Sequence, residues 1–189
     1  MTVDEQNLRF EFSAPWRVEK YDESCQHTER LQPYLDSEAV DFVGIHPNVV
    51  LFMEVKDFRG YRMENREKFG GPLATTIARK MRDTVAGIMG LVRTGTHEQP
   101  WRDLARRLAL REPYILAVLF LEQDQTCAID RRKALMSVEI KLLKQRMKWF
   151  GVKVTVVDLD TYDRVVPNLR VSNLKGAAGH GGAAARRGS

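Results

Sequence analysis

Cysteine is scarce in this chain, and long apolar runs are absent. Two cysteines in 189 residues, Cys25 and Cys127, give no disulfide framework. Neither stands at ligand spacing from His27, His46, His97 or His180 that would suit a structural zinc site, and Cys25-Gln26-His27 reads as a chance neighbourhood. No apolar stretch approaches the roughly 18 residues that cross a bilayer. The start, MTVDEQNLRF, is too acidic and polar for a signal peptide, so the expected location is cytoplasmic. There is no GxSxG elbow, which argues against an α/β-hydrolase. Gly70-Gly71 lacks the GK[ST] ending of a P-loop and reads as a helix lead-in. No internal repeat is visible.

What remains is an ordinary composition with an uneven charge. Hydrophobic content of 43% and charged content of 29% fit one globular domain with a substantial core. Net charge is +5, but residues 1–72 carry 9 basic and 14 acidic side chains, whereas residues 73–153 carry 16 and 8. The second half has the footprint of a surface that meets a polyanion. From Lys175 the chain reads KGAAGHGGAAARRGS, which cannot bury a core. The expected organisation is therefore one domain over 1–174 and a disordered tail over 175–189.

Val40–Arg59, VDFVGIHPNVVLFMEVKDFR, is two apolar runs about His46-Pro47-Asn48-Val49. Asp41, Glu54 and Lys56 interrupt them, and charge inside a buried strand is costly unless paired, neutralised or bound to metal. If the runs form a hairpin, antiparallel partners have numbers that sum to 95. Asp41 then faces Glu54, and Lys56, two residues along, shares that face. Two carboxylates and an amine converge on one patch. Carboxylates that close do not both ionise comfortably without a cation between them, and a hard divalent ion suits oxygen ligands. A plain ion-paired hairpin at a sheet edge is the competing reading.

The rest of the chain supplies a frame. Leu8–Phe12 and Arg17–Tyr21 alternate as short strands expected at an edge of the sheet, and a helix capped by Asp22 or Ser24 is expected over Glu23–Leu35, interrupted by Pro33. After a polar loop over Arg59–Pro72, Leu73–Arg93 carries an apolar stripe at helical spacing, and Glu98–Arg111 forms a second helix. Arg79, Lys80, Arg82, Arg102 and Arg106 lie mostly off the apolar faces and are candidates for nucleic-acid phosphate contact. Tyr114–Leu121 is continuously apolar, as in a strand covered on both faces. Arg131–Phe150 is an amphipathic helix that can cross over to a parallel strand at Val152–Val157. DLDTYD, with Asp158, Asp160 and Asp163, lacks the glycine and final glutamate of a calcium loop and reads as an acidic turn. The order predicts an α/β domain with a mixed central sheet, its first hairpin antiparallel and its later strands parallel.

Asp41, a twelve-residue gap and then Glu54-Val55-Lys56 resembles the D…(D/E)xK signature of the PD-(D/E)xK nuclease superfamily. WRVEKYDE at residues 16–23 and EVKDFRG at residues 54–60 look like a little-characterised bacterial branch of it, over roughly Trp16 to Glu122. Val40 stands where the name-giving proline would be, a proline that many members lack. The resemblance implies a restriction-endonuclease-like fold, a central mixed β-sheet flanked by α-helices. It also implies a nuclease in which Asp41, Glu54 and the Val55 carbonyl bind Mg²⁺ or Mn²⁺ while Lys56 assists catalysis. An acid on the first core helix often joins the metal shell, and Asp22 and Glu23, with Glu29 behind them, are the candidates. DNA is the implied substrate, in host defence or repair, with a homodimer or a defence-complex partner as possible company. The alternative on the same fold is a non-enzymatic module that binds nucleic acid or protein, or a subunit of a larger defence complex.

Overall fold

Alternation along β2 (Leu8–Phe12) buries Leu8, Phe10 and Phe12 on one face and turns Arg9 and Glu11 away. That face is one half of a two-sided core. In the computed structural model, which describes residues 1–59, 69, 71–95, 98–123 and 129–174, except for the side chains of 34 and 35, β2 lies between β1 (Thr2–Glu5) and β8 (Leu169–Asn173) in a small antiparallel sheet. The larger sheet has the order β3 (Arg17–Lys20), β4 (Phe42–His46), β5 (Val49–Asp57), β6 (Tyr114–Glu122), β7 (Lys153–Val157). The strands from β3 to β5 are antiparallel, and those from β5 to β7 are parallel. The chain is thus a single α/β domain with a mixed five-stranded sheet and a smaller antiparallel one.

Parallel strands need covered faces and long crossovers, and the helices provide both. α3 (Gly71–Arg93) and α4 (Gln99–Leu108) connect β5 to β6, and α5 (Ile129–Arg146) connects β6 to β7. Val43, Ile45, Val50, Phe52, Ala117 and Leu119 pack on the helix side, with Ile77, Met81 and Ile88 of α3. On the other side Phe42, Leu51, Met53, Val118 and Phe120 meet the small sheet, where the Phe10 ring centroid lies 5.3 Å from that of Phe42 and 5.2 Å from that of Phe120. Residue alternation therefore decides which layer each β5 side chain enters. Glu54 and Lys56 belong to the helix side.

Three expectations change. Leu8–Phe12 belongs to the second sheet, so of these two strands Arg17–Lys20 alone lies at an edge of the large one. The helix expected over Glu23–Leu35 is two single turns, α1 (Cys25–Thr28) and α2 (Gln32–Leu35). Pro33 sits in the first turn of α2, where a missing N–H costs nothing, and it could not continue a helix begun at Cys25. Ser24 is the N-cap of α1, its side chain accepting from His27 N at 3.3 Å. Val92, which its spacing from Ile88 places in the apolar stripe of α3, is exposed, and Leu91 beside it enters the core instead. Most of the Arg59–Pro72 loop and the whole 175–189 tail lie outside the described residues. The DLDTYD turn is held by Asp158 Oδ1, which accepts from Thr161 Oγ1 at 2.6 Å and Asp160 N at 3.2 Å. No helix among the described residues is long and apolar enough to cross a membrane.

α3 approaches β3 closely at Gly87, where a β-carbon would collide with the hydroxyl of buried Tyr21 and lie 2.5 Å from Leu31 Cδ1. Gly87→Ala should destabilise the fold by about 1–3 kcal/mol, overpacking outweighing the gain in helix propensity. Adding Tyr21→Phe removes the obstructing oxygen and should restore part of the loss. Urea midpoints of the single and double variants check this, and a Gly87→Ala midpoint at or above the parent value would contradict it.

Candidate metal and catalytic site

The β4–β5 hairpin turns at Pro47-Asn48, and its paired residues sum to 95, from His46↔Val49 to Phe42↔Met53. β5 outruns β4, so the β4-side edge from Glu54 to Asp57 has no strand partner. Side chains take over the ladder there. Asp41, one residue before β4, accepts from Val55 N through Oδ2 at 2.6 Å. Gln6 donates from Nε2 to Val55 O at 2.9 Å and accepts from Asp57 N at 2.6 Å. Asn7 Nδ2 donates to Asp57 Oδ2 at 3.1 Å. Gln6 and Asn7 are the turn of the β1–β2 hairpin, so these bonds latch the small sheet to the end of β5. The latch brings in Glu5. Carboxylate oxygens of Glu5, Asp22 and Asp41 lie within 4.8 Å of one another.

Glu54 sits beside this group with no solvent exposure. Its Oε1 accepts from Lys56 Nζ and Lys80 Nζ, each at 2.7 Å, and Lys80 Nζ also lies 4.0 Å from Asp41 Oδ1. Both ammonium groups therefore crowd one oxygen. Glu54 Oε2 is buried with no hydrogen-bond partner among the described residues, as is Asp22 Oδ1. An orphaned buried carboxylate oxygen carries a large desolvation penalty.

Electrostatics express the same shortage of positive charge. Burial pushes the Asp41 carboxyl up to about 8, helped by the charge of Glu54 and opposed by the Val55 N–H bond and by Lys80. Burial likewise raises Asp22 to about 6, with Lys20 and Lys80 opposing and Glu5 and Glu23 assisting. Burial works against the charge of Lys80, yet Glu54, Asp41 and Asp22 together outweigh it and raise its pKa. Lys20 is bound to Glu5 at 3.0 Å and also to Glu23. Four carboxylates, Glu5, Asp22, Asp41 and Glu54, thus face Lys20, Lys56 and Lys80, and Lys20 is shared with an acid outside the group. The donor set, all hard oxygens with two of them orphaned, fits Mg²⁺ or Mn²⁺.

Asp41, Glu54 and Lys56 come together on one side of the sheet, as pairing arithmetic expects. Between the two open candidates for the further acid, Asp22 joins the group, whereas Glu23 is exposed and paired with Lys20. Glu29 is exposed on the turn that follows α1. The Val55 carbonyl already accepts from Gln6, which leaves it one lone pair. Among the basic residues, Lys80 points into the site, while Arg79 pairs with Glu38 at 2.8 Å and Arg82 with Asp83 at 2.7 Å on the surface. Arg102 is exposed on α4, and Arg106 lines a cavity elsewhere. Glu5 and Gln6 escaped the sequence reading because Gln6-Asn7 is not a glycine turn. Gln6 adopts a positive φ of 53° without the residue that would announce it.

Asp41 holds its proton more tightly in the folded chain than in the unfolded one, where its pKa is near the ordinary 3.8. Folding stability without metal should therefore fall as pH rises from about 4 through about 8. Asp41→Asn keeps an acceptor for Val55 N–H and removes the titration. In EDTA at pH 8.5 the variant should exceed the parent by on the order of 1 kcal/mol or more, each pKa unit being worth about 1.4 kcal/mol. Thermal melts across pH check this, and identical slopes would contradict it. Comparison of the chain with protein-family models, with curated proteins and with solved structures gave no match in any of the three.

Proposed function

We propose that this chain is a metal-dependent nuclease that hydrolyses phosphodiester bonds of nucleic acid, DNA being the favoured substrate, on a restriction-endonuclease-like variant of the α/β fold. The observation that carries the reading is Glu54 Oε2, a fully buried oxygen without a donor among the described residues, next to Asp41 and on the same side of the sheet as Lys56. The spacing of Asp41, Glu54 and Lys56 and their resemblance to the D…ExK signature point the same way.

In this reading Asp41, Glu54 and Asp22 hold Mg²⁺ or Mn²⁺, with Glu5 and the Val55 carbonyl as further oxygen donors. The bound ion would polarise a phosphoryl oxygen and lower the pKa of a coordinated water. Lys56, partly exposed at the mouth, orients the attacking water and meets the negative charge that develops on the phosphate. Lys80 rises from α3 and fixes the Glu54 carboxylate from the other side. Asp41 is doubly constrained, because the oxygen it gives to Val55 N–H fixes the direction of the other.

A second reading has its own support. Lys56 and Lys80 already neutralise much of Glu54 in the absence of an ion, as a structural charge network would. On that reading the chain is a nucleic-acid- or protein-binding module, or a subunit of a defence assembly.

Incubation with plasmid, linear and single-stranded DNA in Mg²⁺ or Mn²⁺, beside binding in EDTA, separates the two. Cleavage by the parent should fall by about 100-fold or more in Lys56→Ala and in Glu54→Gln, on the scale of losing a charge-stabilising donor. The thermal midpoint of Lys56→Ala should stay near the parent value. Binding without cleavage in every metal would favour the module, and an unaltered rate in Lys56→Ala would contradict the catalytic assignment.

A further inference from the structure

At the opposite end of the large sheet from Glu54, the β4–β5 turn, the last turn of α4 and the start of β6 enclose an open cavity of about 720 Å³. Glu54 is five residue steps along β5 from Val49, so the two sites stand roughly 17 Å apart along the strand. Nothing in the hydrolytic reading uses this cavity, and the inference drawn from it does not depend on that reading.

Its charges are unevenly spent. Arg17 is paired with Asp103 at 2.8 Å. Arg107 is anchored through Nη1 to the carbonyls of His46 and Pro47, each at 3.1 Å. Those acceptors are neutral, so the anchoring fixes the guanidinium and leaves its charge and its other N–H groups available. Arg106, also lining the cavity, is exposed and has no hydrogen-bond or ion-pair partner among the described residues. Among the described residues that line the cavity, Glu112 is the acid left to offset these two arginines. Arg106 and Arg107 both line the cavity, one exposed and one anchored, and both offer N–H groups that suit the oxygens of a phosphate.

The apolar part of the lining stands opposite these charges in chemistry. Leu110 and Tyr114 belong to it, and Tyr114 is 39% exposed although it opens a strand whose other residues are buried. Lys153 Nζ stands 4.0 Å over the Tyr114 ring, so a stacking ligand must use the face that Lys153 leaves uncovered. An exposed aromatic beside an arginine pair suits a ligand with a planar body and an anionic end. The volume falls within the range of small-molecule sites.

We propose that this cavity binds a nucleoside monophosphate unit, its phosphate on Arg106 and Arg107 and its base against Tyr114. The unit is either a free nucleotide or the phosphorylated end of a strand. Isothermal titration calorimetry on the full chain in EDTA tests it, with deoxyadenosine 5′-monophosphate, inorganic phosphate and a short oligonucleotide with or without a 5′-phosphate. The mononucleotide should bind saturably and more tightly than inorganic phosphate. Arg106→Glu should weaken it by about tenfold or more, and Tyr114→Ala should weaken the nucleotide while leaving inorganic phosphate unchanged. Equal affinity for the 5′-phosphorylated oligonucleotide, with loss on removing its phosphate, would identify a strand end as the source. Binding of the free nucleotide alone would identify a small-molecule ligand. No saturable binding of the mononucleotide, affinity no better than that of inorganic phosphate, or affinity indifferent to both substitutions would overturn the proposal.

Discussion

The hydrogen bond from Val55 N to Asp41 Oδ2, 2.6 Å long and buried, fixes the geometry of everything around it. It exists because β5 runs past the end of β4 and leaves backbone groups that must find partners. A carboxylate that substitutes for a strand carbonyl is held in a single direction. Asp41 therefore stands beside Glu54 in spite of the repulsion between them, which together with burial raises its pKa and creates a demand for either a proton or a cation. Lys80 supplies part of that demand from α3, yet Glu54 Oε2 remains bare.

The same open edge explains why the small sheet is attached where it is. Gln6 reads Val55 O and Asp57 N much as a paired strand residue would, and Asn7 secures Asp57. Packing of Phe10 against Phe42 and Phe120 supplies the adhesion, while the amide contacts choose the position. One consequence is chemical. Fixing Gln6 carries Glu5 to Asp22 and Asp41, so the hairpin that seals the core also completes the acidic group.

Much of this was legible in the sequence because it depends on period two. The 95-sum of the β4–β5 pairs and the shared side of Glu54 and Lys56 follow from alternation and turn position, and the burial of Ile115–Leu121 follows from an unbroken apolar run, from which only Tyr114 at the strand start departs by being exposed. The long helix at Leu73–Arg93 was legible for the same kind of reason, its period being 3.6. Glu5 was not legible, because its position depends on the docking of a separate sheet, and strands Thr2–Glu5 and Leu169–Asn173 carry too few apolar residues to declare themselves. By sequence spacing Lys80 falls with Arg79 and Arg82 among the candidates for phosphate contact, off the apolar face of α3. Sequence spacing locates a residue on a helix, but only the packing angle of α3 decides which of three neighbouring cations enters the core.

We propose that the orphaned oxygens of Glu54 and Asp22 hold a divalent ion together with Asp41. A crystal structure of the full chain soaked in Mn²⁺, read by anomalous difference density, tests it most directly. One or more peaks are expected within about 2.0–2.3 Å of Asp41 and Glu54 Oε2, distances close to those of octahedral oxygen coordination. Absence of density there at saturating Mn²⁺ would contradict the metal assignment.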